Sequence, residues 1–141
     1  MELTRVGIRM CRQKKKVVSQ ITMDEDFIVP DIKPDMELIA AQGGGAQIEE
    51  VRRLSQKAEL KGKLDWRLIY YPPEGGALQS MEGAIPFDEA VHVPELEEKD
   101  YLQAAAELED LTIELIHSRK ISVKAIITFT LEAVGLDERQ A

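Results

Sequence analysis

Residues 57–71 read Lys57-Ala58-Glu59-Leu60-Lys61-Gly62-Lys63-Leu64-Asp65-Trp66-Arg67-Leu68-Ile69-Tyr70-Tyr71. Ala58, Leu60, Gly62, Leu64, Trp66, Leu68 and Tyr70 alternate with Lys57, Glu59, Lys61, Lys63, Asp65 and Arg67. A period of two puts one apolar face on a core and one charged face in water, whereas a helix would scatter the same residues around its circumference. The stretch is a long strand. Pro72-Pro73 stops it and Glu74-Gly75-Gly76 turns the chain.

Residues 119–134 follow the same logic. Ile121, Val123, Ala125, Ile127, Phe129, Leu131 and Ala133 face one way, with Lys120, Ser122, Lys124, Thr128, Thr130 and Glu132 opposite. β-Branched side chains dominate and suit a pleated surface, so this reads as a central strand. Weaker strand patterns lie at 17–23, 46–54, 78–85 and 89–93, with Gly43-Gly44-Gly45 as a divider. Short strands parted by Gly and Pro predict an all-β, mainly antiparallel domain, a single sandwich or barrel. One short helix has room near 35–41 or 95–105. Between 95 and 118, Ala104, Leu108, Leu111 and Leu115 make a helical stripe, while Leu111, Ile113 and Leu115 alternate as in a strand.

The totals bound the function. A chain of 141 residues builds one domain with a core of its own, needing no disulfide or metal to fold. Its one cysteine, Cys11, has no internal disulfide partner, which fits a reducing compartment. No apolar run approaches the ~20 residues that cross a bilayer, and no apolar stretch follows the basic N-terminus as in a signal peptide. The expectation is a cytoplasmic chain without membrane insertion. A net charge of −8 argues against nucleic-acid binding, because phosphate contacts need a positive field. Its organisation reads as a basic segment at 1–14, a β domain at 15–134 and a tail at 135–141.

Catalysis finds little support. His92 and His117 lack zinc-protease spacing, and Gly43–Gly45 lacks the Gly-Lys-Ser/Thr of a phosphate loop. With 31% of residues charged, carboxylate pairs such as Glu49/Glu50 read as solvated faces. The reading is no enzyme and no cofactor.

The stretches Ile28-Val29-Pro30-Asp31-Ile32-Lys33-Pro34-Asp35, Lys61 to Tyr71 with Ile85-Pro86-Phe87, and Ile116-His117-Ser118-Arg119-Lys120-Ile121-Ser122-Val123-Lys124-Ala125 occur in that order. In order and spacing they resemble the SPOCS domain of bacterial spore-coat morphogenetic proteins, over roughly residues 15–134. The resemblance implies a β-rich scaffold that assembles the coat around the forespore, in the mother-cell cytoplasm. Its partners would be other coat morphogenetic proteins or a second copy of itself. It also tilts 108–118 toward strand, with the Ser-Arg-Lys run at a turn. Such proteins commonly carry several SPOCS copies and a LysM domain; one copy and no LysM here read as one domain of a longer protein.

The motif residues have physical readings of their own. Pro30 and Pro34 hold Val29 and Lys33 extended and bar the segment from a sheet interior. Asp31 and Asp35 are placed to accept backbone N–H groups, and Asp35 is a candidate N-cap for residues 36–41. A rival function is a cation or glycan module using the acidic 24–35 segment, whose Asp24, Glu25, Asp26, Asp31 and Asp35 supply oxygen donors. Arg119 and Lys120 either pair with Glu107, Glu109 or Asp110 on the preceding segment, or Arg119 forks onto Asp31 or Asp35. Trp66 and Tyr70 read as core. Tyr71, on the other face beside Ile69, is a candidate for an exposed apolar partner site, and Phe87 for a core plug at a strand end.

Overall fold

The computed structural model describes residues 8–139, with side chains described for 15–135. It contains six strands: β1 (Ile8–Ile28), β2 (Leu38–Leu54), β3 (Lys57–Tyr71), β4 (Gln79–His92), β5 (Tyr101–His117) and β6 (Lys120–Arg139). They form two antiparallel three-stranded sheets, ordered β1-β6-β5 and β2-β3-β4. The two strands with the cleanest alternation, β3 and β6, are the central ones. Leu60, Leu64, Trp66, Leu68 and Tyr70 of β3 lie buried against Ile121, Val123, Ile127, Phe129 and Leu131 of β6. Facing sheets that each bury one side form a sandwich. Among the described residues no helix is long and apolar enough to cross a membrane.

The helix with room near 35–41 or 95–105 does not form. The Glu37 N–H donates to the Tyr71 carbonyl at 2.9 Å, and Leu38 opens the β2–β3 ladder opposite Tyr71. Strand pairing thus takes the donors that Asp35 would have capped. Residues 93–100 form a turn-rich crossover, and β5 begins at Tyr101. The triple glycine does not divide two strands but lies within β2. A Cβ on Gly44 would sit 2.3 Å from the Asp65 carbonyl oxygen, so the bare backbone there lets β2 close onto β3. The patterns at 78–85 and 89–93 fall within one strand, β4, but for their outermost residues 78 and 93, and Phe87 is buried in its interior rather than at its end. Pro86 is tolerated because β4 is an edge strand, where a missing N–H costs no ladder bond on the free side. Strands β1 and β6 pair as far out as Ile8 opposite Arg139, while the side chain of Cys11 lies outside the described residues.

Two crossovers carry the chain between the sheets: residues 29–37 from β1 to β2, and residues 93–100 from β4 to β5. The sheets also meet along the β2 and β5 edges. There the Gln42 side-chain amide donates to the Leu111 carbonyl at 3.2 Å and accepts the Ile113 N–H at 3.1 Å. One side chain thus does what a neighbouring strand's backbone would do for an edge.

Candidate functional site: the arginine-held crossover and the Tyr71 face

The Val-Pro-Asp-Ile-Lys-Pro-Asp segment wraps one end of the sandwich. Its ends are fixed by backbone bonds to the β5–β6 turn: the Val29 N–H donates to the Arg119 carbonyl at 2.9 Å, and the Met36 N–H to the Ser118 carbonyl at 2.8 Å. Val29 and Met36 are buried, so the loop is anchored apolar at both ends. Between them, the Lys33 N–H closes a turn onto the Pro30 carbonyl at 2.9 Å, with Asp31 at its exposed tip. The Tyr70 hydroxyl donates to the Pro34 carbonyl at 2.8 Å.

Arg119 completes the arrangement. Its guanidinium donates to the carbonyls of Val29 (3.1 Å), Pro30 (2.9 Å) and Lys33 (3.2 Å), and to Asp35 Oδ1 at 2.8 Å. Of the two sequence readings, the fork toward the proline segment is the one formed. It takes Asp35 rather than Asp31, and by one carboxylate oxygen. A planar group with five donors suits several carbonyls at once, which an ammonium cannot match. The Arg119 N–H donates to His117 Nδ1 at 3.1 Å. Lys120 lies on the other side of the turn, its Nζ 3.5 Å from Asp26 Oδ2, half exposed and therefore a weak pair. Burial pushes the Tyr70 phenol pKa up; the Arg119 charge opposes that shift and the Asp35 charge adds to it.

The acidic segment does not converge. Asp26 faces Lys120, Asp35 faces Arg119, and Asp24 receives a long 3.5 Å bond from the Ser122 hydroxyl. Among the described residues no three His, Cys, Asp or Glu side chains gather as metal ligands. A groove over the β2-β3-β4 sheet is shallow and open, lined by Gly45, Gln47, Asp65, Arg67 and Glu82, with Gln47 bonded to Asp65 at 3.0 Å.

The crossover also delivers Leu38 beside Tyr71. Leu38 (59% exposed), Ile69 (42%) and Tyr71 (44%) then share one end of the outer β2-β3-β4 face, and Leu78 (51%) directly precedes β4 at the same end, next to the Tyr70–Gln79 pair. The sequence pointed to Tyr71 and Ile69; Leu38 and Leu78 join them only through strand pairing and the turn.

Other fixing residues escaped the sequence reading. Arg53, at the end of β2, donates to the carbonyls of Asp100 (2.6 Å) and Glu97 (2.9 Å), holding the second crossover as Arg119 holds the first. Asp100 is buried and its Oδ2 accepts the Glu97 N–H at 3.0 Å. The pattern available was only a polar residue three positions after an acidic one, which many surface turns share.

A family model described as SipL, SPOCS domain, matches residues 35–116, which is 82 of the 141 residues. No curated protein matches the chain, and no solved structure does. The matched span runs from Asp35 of the clamped loop through the Tyr71 face to Ile116, next to the last residue of β5. With more than half of its length inside that span, the chain belongs to the SipL SPOCS-domain family, and its role is related to sporulation.

Proposed function

We propose that this domain is a non-catalytic scaffold that docks other spore-coat morphogenetic proteins during coat assembly, in the mother-cell cytoplasm at the forespore surface. The observation that carries the reading is the set of exposed apolar residues Leu38, Ile69, Tyr71 and Leu78 at the end of the sheet that the clamped crossover joins, where the Glu37 N–H bonds the Tyr71 carbonyl. Contiguous apolar surface on a soluble domain marks a contact site, and a rigid one loses less entropy on binding. The motif residues themselves, Arg119, Asp35, Pro30 and Pro34, are engaged in holding the loop. Their part in function is to fix the face; the face makes the contact. Tyrosine within such a set suits a binding anchor.

The test is a pull-down from sporulating mother-cell lysate with the folded domain, a heat-unfolded control and the Ile69→Glu/Tyr71→Glu variant. Recovery of coat morphogenetic proteins by the folded parent, lost in a variant that melts at the parent's temperature, is the expected result. Equal recovery by the variant, or none by the parent, counts against the reading.

A further inference from the structure

Strand β1 is an edge strand whose strand partner among the described residues is β6 alone. Edge strands are usually blunted by proline, bulges or charge, and residues 15–26 of β1 contain no proline and no register shift. Charge is present, but in a particular order. The sequence runs Lys15-Lys16-Val17-Val18-Ser19-Gln20-Ile21-Thr22-Met23-Asp24-Glu25, basic at one end and acidic at the other, with Gln20 at the centre.

We propose that β1 pairs antiparallel with β1 of a second copy of this chain about a two-fold axis at Gln20, joining the two β1-β6-β5 sheets into one six-stranded sheet. In that register Lys15 faces Glu25 of the other copy, Lys16 faces Asp24, Val17 faces Met23, and Val18 faces Thr22. An isologous contact of this kind closes on itself and stops at two copies.

Three observations converge on this register. The first is charge complementarity, which parallel pairing would reverse by setting lysine on lysine and acid on acid. The second lies within the chain. Lys16 is already cross-strand from Glu132, and Asp24 from Lys124. Pairing at Gln20 extends this into rows of alternating sign across the seam: Glu132, Lys16, then Asp24 and Lys124 of the second copy. Opposite charges on facing strands are the favourable cross-strand pairs. The third is apolar. Val17, Ile21 and Met23 pack on the core yet stay only half-covered at the rim, and the same register sets Val17 against Met23 and continues the core-side row across the seam. The inference rests on the scaffold reading in one respect only, that a doubled domain presents two Tyr71 faces.

The test uses the whole purified chain in sedimentation equilibrium. The parent is expected to dimerise reversibly. Lys15→Glu/Lys16→Glu places acid opposite acid, Asp24→Lys/Glu25→Lys places base opposite base, and each alone is expected to lose the dimer. An equal mixture of the two restores both sets of opposite charges and is expected to regain it. A Cys11→Ser chain carrying Gln20→Cys is expected to cross-link to itself on oxidation. Val18→Cys is expected not to, since its two copies would stand about four residues apart, roughly 13 Å, beyond disulfide reach. A parent that stays monomeric at every concentration, swap variants that dimerise as the parent does, or a mixture that stays monomeric overturns the proposal. None of these outcomes bears on capture of coat proteins, which the pull-down reads separately.

Discussion

The guanidinium of Arg119 meets Asp35 at 2.8 Å, yet its other three hydrogen bonds go to the backbone carbonyls of Val29, Pro30 and Lys33. The ion pair is therefore the smaller part of what the arginine does. Both partners are substantially solvated, at 32% and 49% side-chain exposure, and such pairs contribute about 1 kcal/mol or less. Carbonyls bonded to a charged donor are worth more, about 1.5 kcal/mol and upward each when shielded from water. Arg119→Lys is expected to cost about 2 kcal/mol in urea unfolding, because an ammonium cannot reach three carbonyls from one position. Asp35→Asn is expected to cost less than about 1 kcal/mol. If the two substitutions cost the same, the carbonyl cradle is not what matters.

Gln42 makes a narrower prediction. Its amide donates to Leu111 and accepts from Ile113, so both halves of the group are used. Gln42→Glu keeps the acceptor, removes the donor and sets a carboxylate oxygen against the Leu111 carbonyl. The expected loss is about 1–2 kcal/mol, the cost of replacing a hydrogen bond by a repulsion. Hydrogen exchange should locate it, with faster exchange at the Ile113 amide and little change at Leu64 in the centre of β3. Uniform acceleration across both sheets would show that the bridge does not hold the β2–β5 seam.

How much could be read from the sequence tracks where the extra residues fall. Strand β3 pairs with β4 without a register shift, and β6 carries none of the bulged residues, so their alternation was unbroken and plain. Strand β5 has a shift between Leu108 and Asp110. Its core-side residues run Leu102, Ala104, Ala106 and Leu108, then change parity to Leu111, Ile113 and Leu115. One extra residue in a period of two looks locally like a step of three, which is how Ala104, Leu108, Leu111 and Leu115 imitated a helix. Strand β2 has two such shifts, at Ile39/Ala41 and Ile48/Glu50, and only its second half was legible. Of the site, Arg119 and Asp35 could be paired as charges, but carbonyl acceptors belong to every residue and leave no mark in a sequence. Arg53 was unreadable for the same reason.

The glycines of the β2-β3-β4 sheet separate into two kinds. A Cβ on Gly62 would stand 1.9 Å from the Gln47 carbonyl oxygen and 2.7 Å from the Phe87 ring, whereas one on Gly45 would meet nothing within 4 Å. Gly62→Ala must therefore push β2 away from β3, and is expected to destabilise by about 3 kcal/mol, as overpacking does. Gly45→Ala is expected to be neutral or to stabilise by a few tenths of a kcal/mol, since alanine restricts the unfolded chain. Thermal melts of the two variants check the contrast. A Gly62→Ala protein as stable as the parent would mean that the strands separate there at little cost.

Tyr70 ties the fold to pH. Burial raises its pKa first of all, Arg119 opposes and Asp35 adds, with the net direction upward. A phenol whose folded pKa exceeds its unfolded value stabilises fully below the unfolded value, about 10, and loses that contribution as pH rises through the folded one. Deprotonation also removes the donor to Pro34 and puts an anion near Asp35. Tyr70→Phe lacks both hydroxyl and titration, and is expected to be about 1 kcal/mol less stable than the parent at pH 8. Above pH 10 the gap should narrow, because only the parent loses the phenol's contribution, while the lysines and the other tyrosines titrate in both proteins. Urea midpoints measured in steps from pH 8 to pH 11.5 give the gap directly. A constant difference over that range would show that the Tyr70 hydroxyl is as easily ionised in the fold as in the open chain, and that its bond to the crossover is exposed to water.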